Sequence, residues 1–143
     1  MKLHKTQRCE LAERICARWI VRRKIRMRRP NVYLIMHPKA GSKVWGWCHH
    51  RSKPLITLHV GPATNKRDIY ILLAHEFAHS LDYQTKQGKW RDLPHGERFQ
   101  RILWGTLPRG LWKRASSGVW IIGRSKHRPE FQPILDYNFE AAA

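Results

Sequence analysis

The clearest periodic pattern in the chain lies near its middle, where apolar residues recur at helical spacing. Four of them are four positions apart and would form one stripe along a helix: Ile69, Leu73, Phe77 and Leu81. Thr64 or Asn65 can cap the start of this helix. Asp68 falls in its first turn, where the helix dipole favours an anion. The pattern therefore predicts one long helix here, with a defined start.

Shorter elements are predicted before this helix. Residues 8–28 have apolar positions at four-residue spacing and predict a first helix, which Pro30 would end. Three short apolar runs, rich in β-branched residues, then predict strands at 31–36, 44–48 and 55–60. Because turn residues occupy 39–42, the first two of these strands are expected to pair as a hairpin.

The second half of the chain predicts fewer elements. A polar loop at 84–94 leads into a second helix at 96–103, and residues 119–122 are a candidate strand. The order of helix, three strands and two helices predicts an α+β fold, with a small, mostly antiparallel three-stranded sheet packed on helices. A chain of 143 residues fits one domain spanning 1–143, and residues 138–143 are expected to form a tail.

Composition narrows the class of protein. A content of 42% hydrophobic residues with seven Trp argues against a disordered chain. Three Cys without paired CxxC spacing argue against a disulfide framework or a zinc ribbon, and favour a reducing compartment. The sequence shows neither a signal-peptide pattern nor an apolar run of membrane-spanning length, so we expect a cytoplasmic protein that does not use the membrane.

The candidate chemistry lies within the long helix, in the motif His75-Glu76-Phe77-Ala78-His79. Residues four apart project from the same helical face, so both imidazoles can reach one ion, and nitrogen donors suit Zn²⁺. Glu76 is offset by one residue, where it can act as a general base. The alternative is a pair of hydrogen-bonded core histidines with a surface glutamate.

A catalytic zinc site needs a third protein ligand. His95 is the first candidate, because the 84–94 loop allows the chain to return to the first two histidines, and Glu97 is the rival. Asp82 lies three residues past His79. We expect it to be a surface residue at the end of the helix, the alternative being a carboxylate that orients a ligand imidazole.

The motif HEFAH, followed after a loop of fifteen residues by HGERF, resembles the SprT-like (Spartan-type) zinc metallopeptidases. This resemblance covers residues 54–105 and implies a minimal zincin-like core that hydrolyses peptide bonds of protein substrates. It implies His75, His79 and His95 as zinc ligands, Glu76 as the general base and Phe99 as a packing aromatic. It further implies that the strand at 56–58 is the sheet edge on which an extended substrate lies. No Cys follows Cys48, so the zinc ribbon of many relatives is not expected.

The donor that would stabilise the oxyanion is not fixed by the motif. Tyr83, His59 and Arg98 are candidates, each with a structural role as its alternative.

The charge of the chain indicates a partner. Lys and Arg number 28 and Asp and Glu 10, a net charge of +18, which favours DNA or another polyanion. The candidate contacts lie in two basic clusters: Arg22, Arg23, Arg26, Arg28 and Arg29, and Arg124, Lys126 and Arg128. The sequence thus predicts a zinc metalloendopeptidase associated with nucleic acid. The alternative is a basic nucleic-acid-binding module with a structural or vestigial metal, and no pattern indicates an oligomeric state.

Overall fold

The computed structural model describes residues 5–42, 44–85 and 96–116, and these ranges form an α+β fold. The strands are β1 (Lys5–Arg8), β2 (Asn31–Met36), β3 (Val44–His49) and β4 (Leu55–Val60). The helices are α1 (Glu10–Arg23), α2 (Lys66–Thr85), α3 (Glu97–Thr106) and α4 (Trp112–Ser116), with a short 3-10 turn at Arg109–Leu111 before α4. The predicted strand at 119–122 and the tail at 138–143 lie outside the described residues.

The sheet formed by the described residues is mixed and has four strands in the order β1-β2-β4-β3. β2 and β4 are parallel neighbours in its centre, whereas β1 and β3 pair antiparallel at its edges. The expected hairpin between the strands at 31–36 and 44–48 is therefore wrong, and the sheet has four strands where three were predicted. Two of its three pairings are antiparallel, as expected. β4 lies between β2 and β3, and its alternating residues Ile56, Leu58 and Val60 are all buried.

The N-terminal region differs from the prediction in two ways. Residues 5–8 are polar yet form an edge strand, paired with β2, where no apolar pattern is required. α1 ends at Arg23 rather than near residue 28, because Lys24 adopts a left-handed conformation (φ 53°). The N–H of Ile25 then donates to the carbonyl oxygen of Ile20. The chain turns back there, and Ile25 and Met27 pack against the core.

The helices α1 and α2 pack on one face of the sheet. This face carries Ile56, Leu58 and Val60, since alternate residues of a strand point to opposite faces. Trp19 of α1 joins the two helices, with its ring 5.5 Å edge-on from Tyr70 and 5.1 Å from Phe77. The core therefore lies between α2, α1 and the sheet.

The long helix α2 begins where the sequence predicts. The side chain of Asn65 accepts a hydrogen bond from the N–H of Arg67 at 2.8 Å, which confirms it as the cap. Asp68 in the first turn accepts from Arg114 of α4, with Nε 2.6 Å from Oδ1. This ion pair fixes the end of the described chain to the start of α2. No helix in the described ranges has both the length and the apolar character needed to cross a bilayer.

A buried carboxylate joins the first three elements. Glu13 is 3% exposed and accepts two hydrogen bonds of 2.9 Å from the guanidinium of Arg8, and one of 3.0 Å from the N–H of Val32. The bonds from Arg8 hold the pKa of Glu13 below its ordinary value, although burial acts in the opposite direction. Glu13 thereby fixes β1 and β2 to the start of α1.

We expect Glu13→Ala to lower the free energy of unfolding by about 2 kcal/mol, because the buried N–H of Val32 loses this acceptor. Since the folded pKa is depressed, the contribution is present above the ordinary carboxyl range and is lost as the pH falls through the folded value. Urea unfolding at neutral and acidic pH measures both effects. Glu10→Ala removes an exposed carboxylate from the same helix and is the control. Equal losses in the two variants would contradict this role.

Candidate metal centre

Helix α2 brings two imidazoles together on the side that faces the interior. The Nε2 atoms of His75 and His79 lie 3.2 Å apart. Two nitrogens at about 2.0–2.1 Å from one tetrahedral ion would be separated by about 3.3–3.4 Å. The observed separation thus fits two ligands of a single zinc ion. It arises from the helix itself, which places residues i and i+4 one above the other.

An aromatic ring from α3 supports both imidazoles. Phe99 is fully buried, and its ring stacks on that of His79 at 4.3 Å and meets that of His75 edge-on at 4.9 Å. The packing role that the motif implies for Phe99 is consistent with these contacts. They also place the first turn of α3, which begins at Glu97, beside the histidine pair.

The carboxylate of Glu76 lies next to this pair and against β3. Its Oε2 is 4.0 Å from Nε2 of His75, and the residue is 5% exposed. A Cβ atom at Gly46 would lie 2.9 Å from Cγ of Glu76 and 3.0 Å from its Oε2. The space that Glu76 occupies therefore exists only because β3 has a glycine at this position. The expectation of a surface glutamate, part of the alternative to a metal site, does not agree with this burial.

Asp82 is buried (2% exposed), so its expected place on the surface is wrong. Its Oδ1 lies 3.3 Å from Nε of Arg98 in α3. Arg98 also donates to the hydroxyl of Thr85. These contacts connect the last turns of α2 to the first turn of α3, so they hold Phe99 against the imidazoles.

The segment after β3 closes the same side of α2. The ring of His50 stacks on Tyr83 at 4.1 Å, and Sγ of Cys48 lies 3.8 Å from Nδ1 of His50. Burial lowers the pKa of His50, although the charge of Asp82 acts in the opposite direction. Burial also raises the pKa of Cys48 well above the ordinary thiol value, so this group is a thiol at neutral pH.

The third ligand is not placed by the structure, because His95 lies outside the described residues. Glu97 begins α3, and nothing is described of its side chain. Within residues 5–42, 44–85 and 96–116, no group of three His, Cys, Asp or Glu residues is arranged to hold a metal ion. Of the oxyanion candidates, Tyr83 lies in the last turn of α2 and Arg98 in the first turn of α3. His59 alternates with the buried residues of β4 and lies on the opposite sheet face.

The strand that was expected to receive the substrate is not at an edge. Residues 56–58 belong to β4, which has β2 on one side and β3 on the other. The edge strand beside Glu76 is β3. The prediction failed because chain order does not determine order in the sheet when strands are joined by crossovers.

The arginines of the basic cluster at 22–29 differ in their exposure to solvent. Arg22, Arg26 and Arg29 are exposed. Arg23 is half-buried and donates from Nη2 to the carbonyl oxygen of Ile102 at 2.7 Å and to the hydroxyl of Thr106 at 2.9 Å, and burial lowers its pKa. Arg28 is exposed and donates from Nη1 to the carbonyl oxygen of Ser52 at 2.6 Å. The second cluster (Arg124, Lys126 and Arg128) lies outside the described residues.

Comparison with known proteins finds no matching family model, no similar curated protein and no similar solved structure. The resemblance to SprT-like metallopeptidases therefore rests on the motif residues alone.

Gly46 belongs to this site and is not among the residues predicted from the sequence. A glycine inside a strand pattern indicates a bulge or a close approach of another element, and Trp45-Gly46-Trp47 carries that signal. The contact with Glu76 explains it as a close approach.

We expect Gly46→Ala to lower the free energy of unfolding by about 1–3 kcal/mol, because the added methyl group overlaps Glu76 and Cδ1 of Leu72. Denaturant unfolding measures the loss. Gly110→Ala is the control, since an added Cβ there meets nothing within 4 Å, and its stability should change by no more than about 0.5 kcal/mol. Equal stability of the two variants would show that α2 and β3 are not in this contact.

Proposed function

We propose that this chain is a zinc-dependent endopeptidase of SprT-like type, built on a zincin-like core, which hydrolyses peptide bonds of protein substrates. The observation that carries the proposal is the pair of Nε2 atoms at 3.2 Å on α2, with the Glu76 carboxylate 4.0 Å from one of them. Two converging imidazoles and an adjacent buried carboxylate are the groups that metal-assisted hydrolysis requires.

In this proposal His75 and His79 hold the ion through Nε2, and His95 completes the protein ligands, with Glu97 as the alternative. When bound, zinc supplies a Lewis acid and lowers the pKa of a coordinated water toward neutrality. Phe99 fixes the rings of His75 and His79 in the orientation for binding, because both pack on its side chain.

Glu76 is the general base of the proposed reaction. Its carboxylate accepts the proton of the attacking water and later delivers that proton to the leaving amine. A general base must be held where it meets the water, and the backbone of Gly46 limits the positions open to this side chain. The burial of Glu76 restricts its access to bulk water as well.

The substrate in this proposal lies along β3. An extended peptide can add to the exposed edge of a sheet through main-chain hydrogen bonds. Among the described strands, β3 pairs on one side only, with β4. Because Gly46 of β3 contacts Glu76, a peptide bound along this edge passes close to the general base.

The direct test measures zinc content and hydrolysis in two variants. Glu76→Gln should retain stoichiometric zinc and lose activity by at least about a hundredfold, because the proton acceptor is gone. His75→Ala should lose the metal. Elemental analysis and cleavage of an unfolded protein substrate provide the two measurements, with Glu10→Ala as the control for loss of a carboxylate. Wild-type protein without stoichiometric zinc, or full activity in Glu76→Gln, would refute the proposal.

A second pair of variants identifies the third ligand. We expect His95→Ala to weaken zinc binding by more than about a hundredfold, and Glu97→Gln to leave it within about tenfold of wild type, because only the imidazole is in the first coordination shell. Competition with a chromophoric chelator measures both affinities. The reverse order of effects would assign the role to Glu97.

A nucleic-acid-binding module with a structural or vestigial metal is the second candidate. The observation in its favour is the stretch 14–67, which contains 14 Lys or Arg and no Asp or Glu. This candidate requires salt-sensitive DNA binding that survives Glu76→Gln and no cleavage of any protein. Assaying the same samples for cleavage with and without DNA, at low and high salt, separates it from the peptidase.

A further inference from the structure

The sheet has a second face, opposite the one on which α1 and α2 pack. Directly opposed residues on neighbouring strands share a face, so the register assigns its members. Trp45 of β3 lies opposite His59 of β4, and His59 lies opposite Ile35 of β2. In the same way, Trp47 lies opposite Thr57, and Thr57 lies opposite Tyr33. We call this set, with the residues that continue the same alternation, the outer sheet face: Tyr33, Ile35, His37, Trp45, Trp47, His49, Thr57 and His59.

Three rings of the outer sheet face pack against one another in one cluster. The rings of Trp45 and His59 are nearly parallel, 6° apart in orientation, with centroids separated by 5.1 Å. The ring of His37 lies 4.7 Å from that of Trp45 and 5.0 Å from that of His59. Nε2 of His37 is 2.8 Å from Nδ1 of His59, a hydrogen bond that fixes the two rings relative to each other. These side chains are thus ordered by mutual contact.

Trp47 lies next to this cluster on the edge strand and is 54% exposed. Its ring is 6.4 Å from that of His49. A half-exposed indole on a strand costs hydrophobic free energy in water, and Trp is among the residues most often used at binding surfaces. More than half of the surface of this residue is therefore accessible to a ligand.

The surroundings of the outer sheet face are positively charged. None of the described strands contains Asp or Glu, and the stretch 14–67 that includes three of them has 14 basic residues and no acidic one. Exposed cations stand at both ends of the face: Arg29 before β2, Arg51 and Lys53 between β3 and β4, and Lys39 between β2 and β3. A ligand bound across these strands would meet cations at either end.

We propose that the outer sheet face binds single-stranded nucleic acid, with bases stacked on Trp47 and against the cluster of Trp45, His59 and His37, and with phosphates near the cations at its ends. Single strands are held in this manner without reading of sequence, since every base has a π-face and every nucleotide a phosphate. A duplex offers phosphates, but its bases are stacked on each other and cannot stack on the aromatic rings of this face. An acidic protein offers negative charge but does not carry a planar ring at every residue.

This proposal does not depend on the peptidase function. The outer sheet face is on the side of the sheet away from His75 and Glu76, so Glu76→Gln should bind nucleic acid as wild type does. Loss of binding in a Trp47 variant and loss of cleavage in a Glu76 variant are therefore separate results.

The test titrates the full chain with oligothymidine of about 15 nucleotides, following tryptophan fluorescence and, with a labelled strand, anisotropy. We expect stacking to quench tryptophan fluorescence. Trp47→Ala should weaken binding about tenfold, because one stacked base loses its ring. Trp47→Phe keeps a ring at this position and should recover most of the affinity. Val21→Ala removes an exposed apolar side chain from α1 and should bind as wild type does.

Two further ligands separate stacking from charge. An abasic strand of the same length retains the phosphates and should bind at least about fivefold more weakly than oligothymidine, and heparin binding should not respond to Trp47→Ala. Equal affinity of Trp47→Ala and wild type, equal affinity for the abasic strand, or a preference for duplex would each overturn the proposal. Binding of an acidic protein that depends on Trp47 while oligothymidine does not bind would overturn it in favour of a protein partner.

Discussion

The close approach of α2 to β3 at Gly46 determines how the rest of the described structure is arranged. A side chain at this position would overlap both Glu76 and Leu72, so the helix would have to move away from the strand. The helix carries the two histidines on the same side, and α3 is packed against them through Phe99. One missing Cβ therefore permits the contact between a sheet edge and the face of the helix that contains all the candidate chemistry.

The sequence was most informative about structural properties that depend on neighbours along the chain. The start of α2 at Asn65 and the three strands at 31–36, 44–48 and 55–60 follow from local capping, periodicity and β-branched composition, and the structure confirms them. The position of β4 between β2 and β3 depends on pairing between residues far apart in sequence, which no local pattern contains. β1 was not predicted, because an edge strand of four polar residues has no hydrophobic alternation.

The same distinction applies to the candidate site. His75, Glu76 and His79 could be selected because a helix alone brings them together. The burial of Asp82 depends on Arg98, sixteen positions away on another helix, and the stack of His50 on Tyr83 joins the end of β3 to the end of α2. Arg23 was grouped with its basic neighbours by composition, although its guanidinium is bound to the carbonyl oxygen of Ile102. Such contacts between distant elements determine whether a charged side chain is buried within the fold or exposed to solvent.

The two edges of the sheet differ in a way that affects self-association. β1 is short, and polar and charged side chains make it a poor template for another strand, the usual protection against edge-to-edge aggregation. β3 lacks this protection: it contains two tryptophans and no Lys, Arg, Asp, Glu or Pro. An edge that can accept a peptide can also accept a second copy of itself, so the peptide binding proposed for β3 would come with a tendency to self-association. The high positive charge of the chain counteracts that tendency by mutual repulsion between molecules, and salt would weaken this protection.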